Sequence, residues 1–104
     1  MSGVPETEMM LIYNVTIQVD EQIENDWLHW MRDVHIPDVL ATNCFHQYQL
    51  VKLLDQPEGS APTYAVQYFA ETVEHYNEYI NKYADKLRND ALTRWGDSFI
   101  AFRT

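Results

Sequence analysis

His35 is the residue in this sequence best suited to chemistry, because apolar residues at helical spacing precede it and a proline follows two positions later. Pro37 has no N–H to continue a helix and disfavours the α region at Ile36, so the pattern predicts a helix end beside His35. An imidazole titrates near neutral pH, and a histidine at the margin of an apolar face could therefore act as a general base. The alternative is structural, with His35 capping helix carbonyls that the proline leaves without donors.

Six further residues could hold a small molecule beside this histidine. Asn14, Gln67 and Arg103 are polar residues in segments otherwise rich in apolar ones, and buried polar groups need partners. They could form a cluster that orients a ligand, with Arg103 pairing with a carboxylate, or they could bond one another or a second subunit. Aromatic residues could line the pocket or only pack in the core. The candidate binding residues are Asn14, Trp27, Tyr64, Gln67, Tyr68 and Arg103.

The remaining candidate ligands do not predict a metal or cofactor site. His29 and Asp33 have the spacing of one helical turn, but no third ligand can be placed beside them, so an exposed pair is the simpler interpretation. Cys44 is the single cysteine, which excludes an internal disulfide and a thiolate metal site. Motifs typical of serine hydrolases, nucleotide-binding proteins and zinc proteases are absent from the sequence. We therefore expect no metal and no organic cofactor.

The charge balance constrains the partners. Seven Lys and Arg against sixteen Asp and Glu give a formal net charge of −9, which disfavours binding to nucleic acids and anionic membranes. One inward-facing arginine could still attract a small anion. No apolar run approaches the ~20 residues of a membrane span, and the first residues lack the pattern of a signal peptide. We expect a soluble cytoplasmic protein.

Alternation of apolar and polar residues predicts four strands in a single domain. Residues 1–8 are polar and contain Gly3 and Pro5, which predicts a flexible leader before a domain over residues 9–104. The predicted strands span residues 9–19, 45–54, 63–70 and 98–103. A loop with two prolines and a glycine connects the second and third strands over residues 55–62.

Helical spacing predicts two long helices. Asp20 is suited to cap the first and Thr72 the second, and a short turn over residues 38–41 is expected to end at a left-handed Asn43. Gly96 and Asp97 are expected to end the second helix. The predicted buried stripes are Ile23, Trp27, Trp30, Met31 and Val34 in the first helix, and Val73, Tyr76, Ile80, Tyr83, Leu87 and Ala91 in the second.

The resulting order βαββαβ is typical of an α+β, ferredoxin-like fold, in which two helices cover one face of a four-stranded antiparallel sheet. The other face is then bare. Both faces of the predicted strands carry large apolar residues, such as Ile12 beside Tyr13 and Phe69 beside Tyr68. A solvated face would be more polar, so we expect a second copy of the chain to cover it in a homodimer.

Short strings in every element resemble a family of small bacterial proteins catalogued only as a domain of unknown function. The resemblance extends from about Leu11 to the end of the chain and implies a ferredoxin-like fold. The strings are I-Y-N-V-T at 12–16, W-x-x-W-M at 27–31, H-I-P at 35–37, Y-x-V-Q-Y at 64–68 and F-I-A-F-R-T at 99–104. Residues 41–43 read A-T-N where such proteins often have A-T-G, a change that a left-handed turn tolerates.

The H-x-P string also resembles the wider dimeric α+β barrel group. That group includes cofactor-free monooxygenases, EthD-like proteins, muconolactone isomerases and haem-degrading enzymes. The resemblance implies a pocket between sheet and helices in each subunit, and no established activity.

Two functional hypotheses follow. The first is a homodimer that binds a small apolar or aromatic molecule between sheet and helices, lined by Trp27, His35, Tyr64 and Tyr68. Its extension is a cofactor-free monooxygenase- or isomerase-like activity with His35 as the base. The second is a non-catalytic homodimeric interaction module, in which the same residues only pack. A pocket of at least ~300 Å³ beside His35 would favour the first hypothesis, and a filled core the second.

Overall fold

The computed structural model describes residues 10–103, and every structural statement below concerns these residues. Its four strands form an antiparallel sheet in the order β2-β3-β1-β4, which confirms the predicted ferredoxin-like α+β fold. The strands are β1 (Leu11–Val19), β2 (Gln47–Lys52), β3 (Thr63–Ala70) and β4 (Phe99–Arg103).

The strand bounds agree closely with the predictions, except in β2. The predicted β3 is confirmed at both ends, while β2 is shorter than predicted. Phe45 precedes β2 and is buried among aromatic side chains. Beyond the other end of β2, Asp55 has a left-handed φ of 57° at the start of the loop. The predicted leader over residues 1–8, the predicted strand start at Met9 and the chain end at Thr104 lie outside the described residues.

The first helical segment continues through Pro37, so the predicted helix end beside His35 is wrong. The segment consists of a 3₁₀ turn (Glu21–Ile23), α1 (Glu24–Trp30), a π-helical turn (Met31–His35) and α2 (Ile36–Leu40). Ile36 keeps helical angles, and its N–H bonds to the Met31 carbonyl five residues back. The wider π turn accommodates the proline ring without breaking the helix, and such turns occur frequently at functional sites.

The π turn also shifts the buried stripe of this segment towards the end of the chain. Val34 was predicted to be buried but is 44% exposed, whereas Ile36 is only 1% exposed. His35 therefore lies within the helical segment, on its inner margin. The predicted cap at the start is confirmed, since Asp20 Oδ1 accepts a hydrogen bond from the Gln22 N–H at 2.9 Å.

The predicted second helix is interrupted at Tyr83, which separates α3 (Val73–Lys82) from α4 (Ala84–Trp95). The predicted cap is again confirmed, because the His75 N–H donates to Thr72 Oγ1 at 3.2 Å. Asn43 has the expected left-handed φ, at 62°. The interruption changes which residues are buried, so Tyr79, Ala84, Leu87 and Trp95 occupy the core positions of the two helices.

The two faces of the sheet differ in what covers them. Alternate residues of β1 and β3, including Tyr13, Val15, Tyr64 and Tyr68, are buried beneath the helices in one apolar core. We call the opposite side, which no helix covers, the open face. Its strand residues are Ile12, Asn14, Thr16, Gln18, Gln47, Gln49, Val51, Thr63, Ala65, Gln67, Phe69, Ile100 and Phe102.

Candidate functional site

The centre of the core is an aromatic cluster around Tyr13. Its ring centroid lies 5.9 Å from that of Phe45, 6.1 Å from Tyr68, 5.6 Å from Tyr76 and 5.7 Å from Tyr79. Tyr13 and Tyr68 come from adjacent strands, and Tyr76 and Tyr79 from α3. The cluster accounts for four of the seven tyrosines in the chain and gives the space between sheet and helices an aromatic wall.

Arg88 enters this cluster from α4. Its Nη2 donates a hydrogen bond to the Tyr13 hydroxyl at 3.0 Å, while its Nε is buried and has no hydrogen-bond partner among the described residues. Arg88 is not among the site residues predicted from the sequence. A signal was present, because Arg88 follows the buried Ala84 by one helical turn and thus lies on an otherwise apolar stripe.

His35 packs against Trp30 and is partly buried. The two ring centroids are 4.9 Å apart, with an interplanar angle of 23°. Burial lowers the pKa of His35, and the charge of Arg103 lowers it further, whereas Asp38 and Asp90 oppose the shift. The neutral imidazole is therefore favoured at pH 7.

The structural alternative for His35 does not have the predicted form. No hydrogen bond joins the His35 ring to a backbone carbonyl within residues 10–103. Stacking on Trp30, and not capping, holds the ring in place.

Beside His35, between sheet and helices, lies a cavity of about 40 Å³. It is far smaller than the ~300 Å³ that would favour a ready-made ligand pocket, so in this conformation the core is nearly filled. Of the predicted site residues, Trp27, His35, Tyr68 and Arg103 line the cavity, and Tyr64 does not. The full lining is Tyr13, Val15, Ile17, Trp27, Trp30, Met31, His35, Val66, Tyr68, Tyr79, Arg88, Ala91, Phe99, Ala101 and Arg103.

The charge of this lining differs from that of the whole chain. It contains two arginines and one histidine but no carboxylate, although the sequence has sixteen Asp and Glu. The lining is therefore aromatic and carries basic but no acidic side chains, while Asp38 and Asp90 act on His35, and Asp85 on Arg88, from outside it.

The predicted polar cluster of Asn14, Gln67 and Arg103 does not form, because the sheet separates its members. Asn14 and Gln67 are directly paired across β1 and β3 on the open face, where Asn14 Nδ2 also donates to Thr16 Oγ1 at 3.3 Å. Arg103 pairs with Val15 and belongs to the opposite face. Alternation in the sequence assigns residues to faces within a strand, but only the register between strands decides which residues share a face.

Tyr64 belongs to a separate polar contact near the start of α1. Its hydroxyl donates to Glu24 Oε2 at 2.5 Å, and the same oxygen accepts from Lys52 Nζ at 2.9 Å. These hydrogen bonds, that from Tyr64 first, lower the pKa of Glu24. The Tyr64 ring packs on Trp27, with centroids 5.1 Å apart. Tyr64 thus joins β2, β3 and α1 and supports the wall that Trp27 forms.

A larger open groove of about 230 Å³ lies beyond the aromatic cluster. It is lined by Leu11, Ile12, Tyr13, Phe45, Ala70, Val73 and Tyr76. Tyr13 lines both the groove and the small cavity beside His35. Tyr13 is therefore a residue that the two spaces share.

Within the described part of the chain, no three His, Cys, Asp or Glu side chains come together as a group that could hold a metal ion. None of the described helices has the length and apolar character needed to cross a membrane.

Comparisons with known proteins support the fold and the family. Residues 10–104 match the family described as a domain of unknown function, DUF4286. An ethyl tert-butyl ether D (EthD) family protein from Bacillus halodurans C-125 has a similar structure, with a TM-score of 0.67 at 11% identity over 92% of this chain and 97% of the other. A dimeric ferredoxin-like protein of unknown function from Thermobifida fusca YX gives 0.54 at 12% identity, over 100% and 97%. No curated protein matches the sequence. At such identities the structural similarity concerns the fold alone.

Proposed function

This chain belongs to the DUF4286 family, a domain of unknown function, and we propose that it acts as a homodimer joined through the open face of its sheet. The observation that carries the proposal is the chemistry of that face. Within residues 10–103, none of its members is Asp, Glu, Lys, Arg or His, although 22% of the chain is charged. In a strand with one face in water, apolar residues on the buried face alternate with charged or polar residues on the solvated face.

The open face also exposes large apolar side chains. Ile12 is 52% exposed, Ile100 55% and Phe102 50%. Removing such surface from water stabilises an association by roughly 25 cal/mol per Å². Neutral amide and hydroxyl side chains between them, such as the paired Asn14 and Gln67, can exchange hydrogen bonds with a partner without desolvating a charge.

A second copy of this chain is the occupant that fits the charge balance. Two molecules with a formal charge of −9 repel each other, and a contact that contains no carboxylate opposes their association least. A two-fold axis brings the same neutral face to both sides of the interface. The dimeric state named for the ferredoxin-like Thermobifida fusca protein supports this arrangement. We expect an interface of at least ~1,200 Å² in total.

Charge insertion on the open face tests the dimer. We expect the wild type to sediment as a dimer at roughly tens of micromolar, and Ile12→Glu or Ile100→Glu to sediment as a folded monomer. Leu92→Glu is the matched control, because Leu92 is 56% exposed but lies on α4, away from the open face. A wild type that is monomeric at this concentration, or equal dissociation by all three substitutions, would contradict the proposal.

A second candidate function is binding of a small aromatic or apolar molecule in the cavity of each subunit. It is favoured by a specific observation: buried Arg88 Nε lacks a partner in the described residues, and native proteins rarely leave such groups unpaired. The existing 40 Å³ is large enough only for water, so a ligand requires the side chain of Tyr13, which lines both spaces, to move and extend the cavity towards the 230 Å³ groove. Neutral His35 at the cavity wall would accept a proton from an acidic group of the bound molecule.

The His35→Ala variant tests this candidate. If His35 serves the cavity, the substitution should weaken binding of a neutral aromatic probe, benzyl alcohol, at least severalfold while the melting temperature changes little. Binding is followed by the fluorescence of Trp27 and Trp30, which line the cavity. The exposed His29, on the same helical segment, provides the control variant His29→Ala. A large loss of stability with unchanged probe binding would assign His35 a packing role.

A further inference from the structure

We infer that the cavity binds a small aromatic carboxylate, whose carboxylate group pairs with Arg88 and replaces the Tyr13 hydroxyl as the partner of that guanidinium. The inference rests on the proposed ligand-binding function of the cavity and adds the chemical class of the ligand. Three features of the described residues carry it: the charge of the lining, the incomplete pairing of Arg88, and the position of Tyr13.

The charge of the lining favours an anion. Arg88 and Arg103 contribute two of the seven Lys and Arg residues of the chain, and the lining contains no carboxylate to neutralise them. Most arginines near a protein core pair with an acid. The hydrogen-bond partner of Arg88 is the Tyr13 hydroxyl, and Asp85, which attracts the guanidinium through its charge, does not line the cavity, so an anion would be the first acidic group within the cavity itself.

The geometry of Arg88 favours a carboxylate among the anions. The Nε and Nη2 atoms form one edge of the planar guanidinium, and this edge binds the two oxygens of a carboxylate through parallel hydrogen bonds. Here Nη2 donates to the Tyr13 hydroxyl at 3.0 Å, while Nε is buried without a partner among the described residues. The edge is therefore half occupied, by a group that can satisfy only one of its two donors.

The surroundings favour an aromatic ring on the carboxylate. A ligand that takes the place of the Tyr13 hydroxyl lies against the rings of Tyr68 and Tyr79, which stand within stacking distance of Tyr13. Burial raises the pKa of both hydroxyls, so they remain protonated and do not repel an anion. Displaced Tyr13 opens the way to the neighbouring groove, which provides the volume that the cavity lacks.

Benzoate is the probe that tests the inference, with benzamide as its neutral analogue. We expect benzoate to bind the wild type at least ~10-fold more tightly than benzamide, as measured by isothermal titration calorimetry at pH 7. Arg88→Gln should remove this preference. Arg32→Gln, which makes the same change in net charge at an exposed position of the π turn, should retain it. Loss of the preference in both variants, or in neither, would overturn the inference.

Tyr13→Phe provides a second measurement that does not depend on the folding of the Arg88 variant. This substitution keeps the ring and removes the hydroxyl that competes for Nη2, so we expect benzoate to bind severalfold more tightly while benzamide affinity changes little. Unchanged or weaker benzoate binding would overturn the displacement of Tyr13. If the wild type binds both probes equally, the cavity binds ligands but the carboxylate assignment is wrong. If the wild type binds neither probe, the proposed ligand-binding function of the cavity is wrong.

Discussion

The two faces of the sheet are built from the same strands but differ in what contacts their side chains. On the helix-covered face, Tyr64 donates to Glu24 and Tyr13 accepts from Arg88, while the buried Arg88 Nε and Trp95 Nε1 have no hydrogen-bond partner among the described residues. On the open face, Ile12 and Phe102 remain half exposed, and the polar residues between them are uncharged. The first face is packed by the helices of the chain itself, and the second has the composition of a surface that another molecule covers.

The presence of charged side chains, and not apolar content alone, distinguishes the two sides of the sheet. On the helix side, Arg88 from α4 donates to the Tyr13 hydroxyl, Lys52 of β2 lies 5.6 Å from the centre of the Tyr64 ring, and Arg103 of β4 lines the cavity. The open face admits no charged residue within the described strands. Within the described residues, the charged side chains of the strands thus lie on the helix side, and the proposed self-association uses the other side.

The strongest test of the comparison is the loss of a large side chain from the helix-covered face. Trp27 is 2% exposed and packs on Tyr64, so we expect Trp27→Ala to lower the free energy of unfolding by ~3–5 kcal/mol. Urea denaturation of the wild type and the variant measures this change. A loss below about 1 kcal/mol would mean that Trp27 is not a core residue.

Phe102→Ala is the counterpart on the open face. Because Phe102 is 50% exposed in the single chain, its truncation should leave the unfolding free energy of the monomer nearly unchanged. The substitution should instead raise the dissociation constant of the dimer, measured by sedimentation over a concentration series. Equal destabilisation of the monomer by both substitutions would remove the distinction between the faces.

The sequence predicted those parts of the structure that depend on local pattern. Alternation located β3 at its observed bounds, and the side chains of Asp20 and Thr72 capped the helices as expected. The rule for proline failed at Pro37, because it assumes that the preceding turn stays α-helical, whereas a π turn accommodates the ring. His35 ends this π turn and lines the cavity, and residue spacing alone does not predict the turn.

The candidate site was only partly predictable, because its contacts join distant parts of the chain. Four of the seven predicted site residues line the cavity, namely Trp27, His35, Tyr68 and Arg103. Asn14 and Gln67 lie on the other face, where the strand register pairs them with each other. The contact between Tyr13 and Arg88 spans 75 residues, and no local pattern indicates it.

A smaller effect is expected from the polar contact that supports Trp27. Tyr64→Phe removes the hydrogen bond to Glu24 while the ring remains, and hydrogen bonds to charged groups contribute roughly 1.5–3 kcal/mol. We expect a loss of unfolding free energy near the lower end of this range, since Lys52 still pairs with the carboxylate. Tyr48→Phe is the control, because Tyr48 lies 40% exposed on the neighbouring β2. If both variants were equally stable, the contact would contribute nothing to the helix-covered face.

The smallest expected effect is the pH dependence that His35 gives to folding. Burial lowers the pKa of His35 in the folded state, Arg103 adds to this, and Asp38 and Asp90 oppose it. The unfolded chain therefore takes up a proton on this histidine at a higher pH than the folded chain does. Stability is retained above the ordinary histidine pKa of 6.5 and is lost as the pH falls from there towards the folded pKa, below which the loss levels off.

The variant His35→Asn should remove this part of the pH dependence. Between about pH 7.5 and 5.5, we expect the wild type to lose more unfolding free energy than the variant, as measured by urea denaturation at each pH. His29→Asn, at the exposed position on the same helical segment, should behave like the wild type. Equal acid sensitivity in the wild type and His35→Asn would mean that the imidazole is solvated in the folded protein. The pH dependence of His35 would then resemble that of an exposed residue and not that of a residue buried on the helix-covered face.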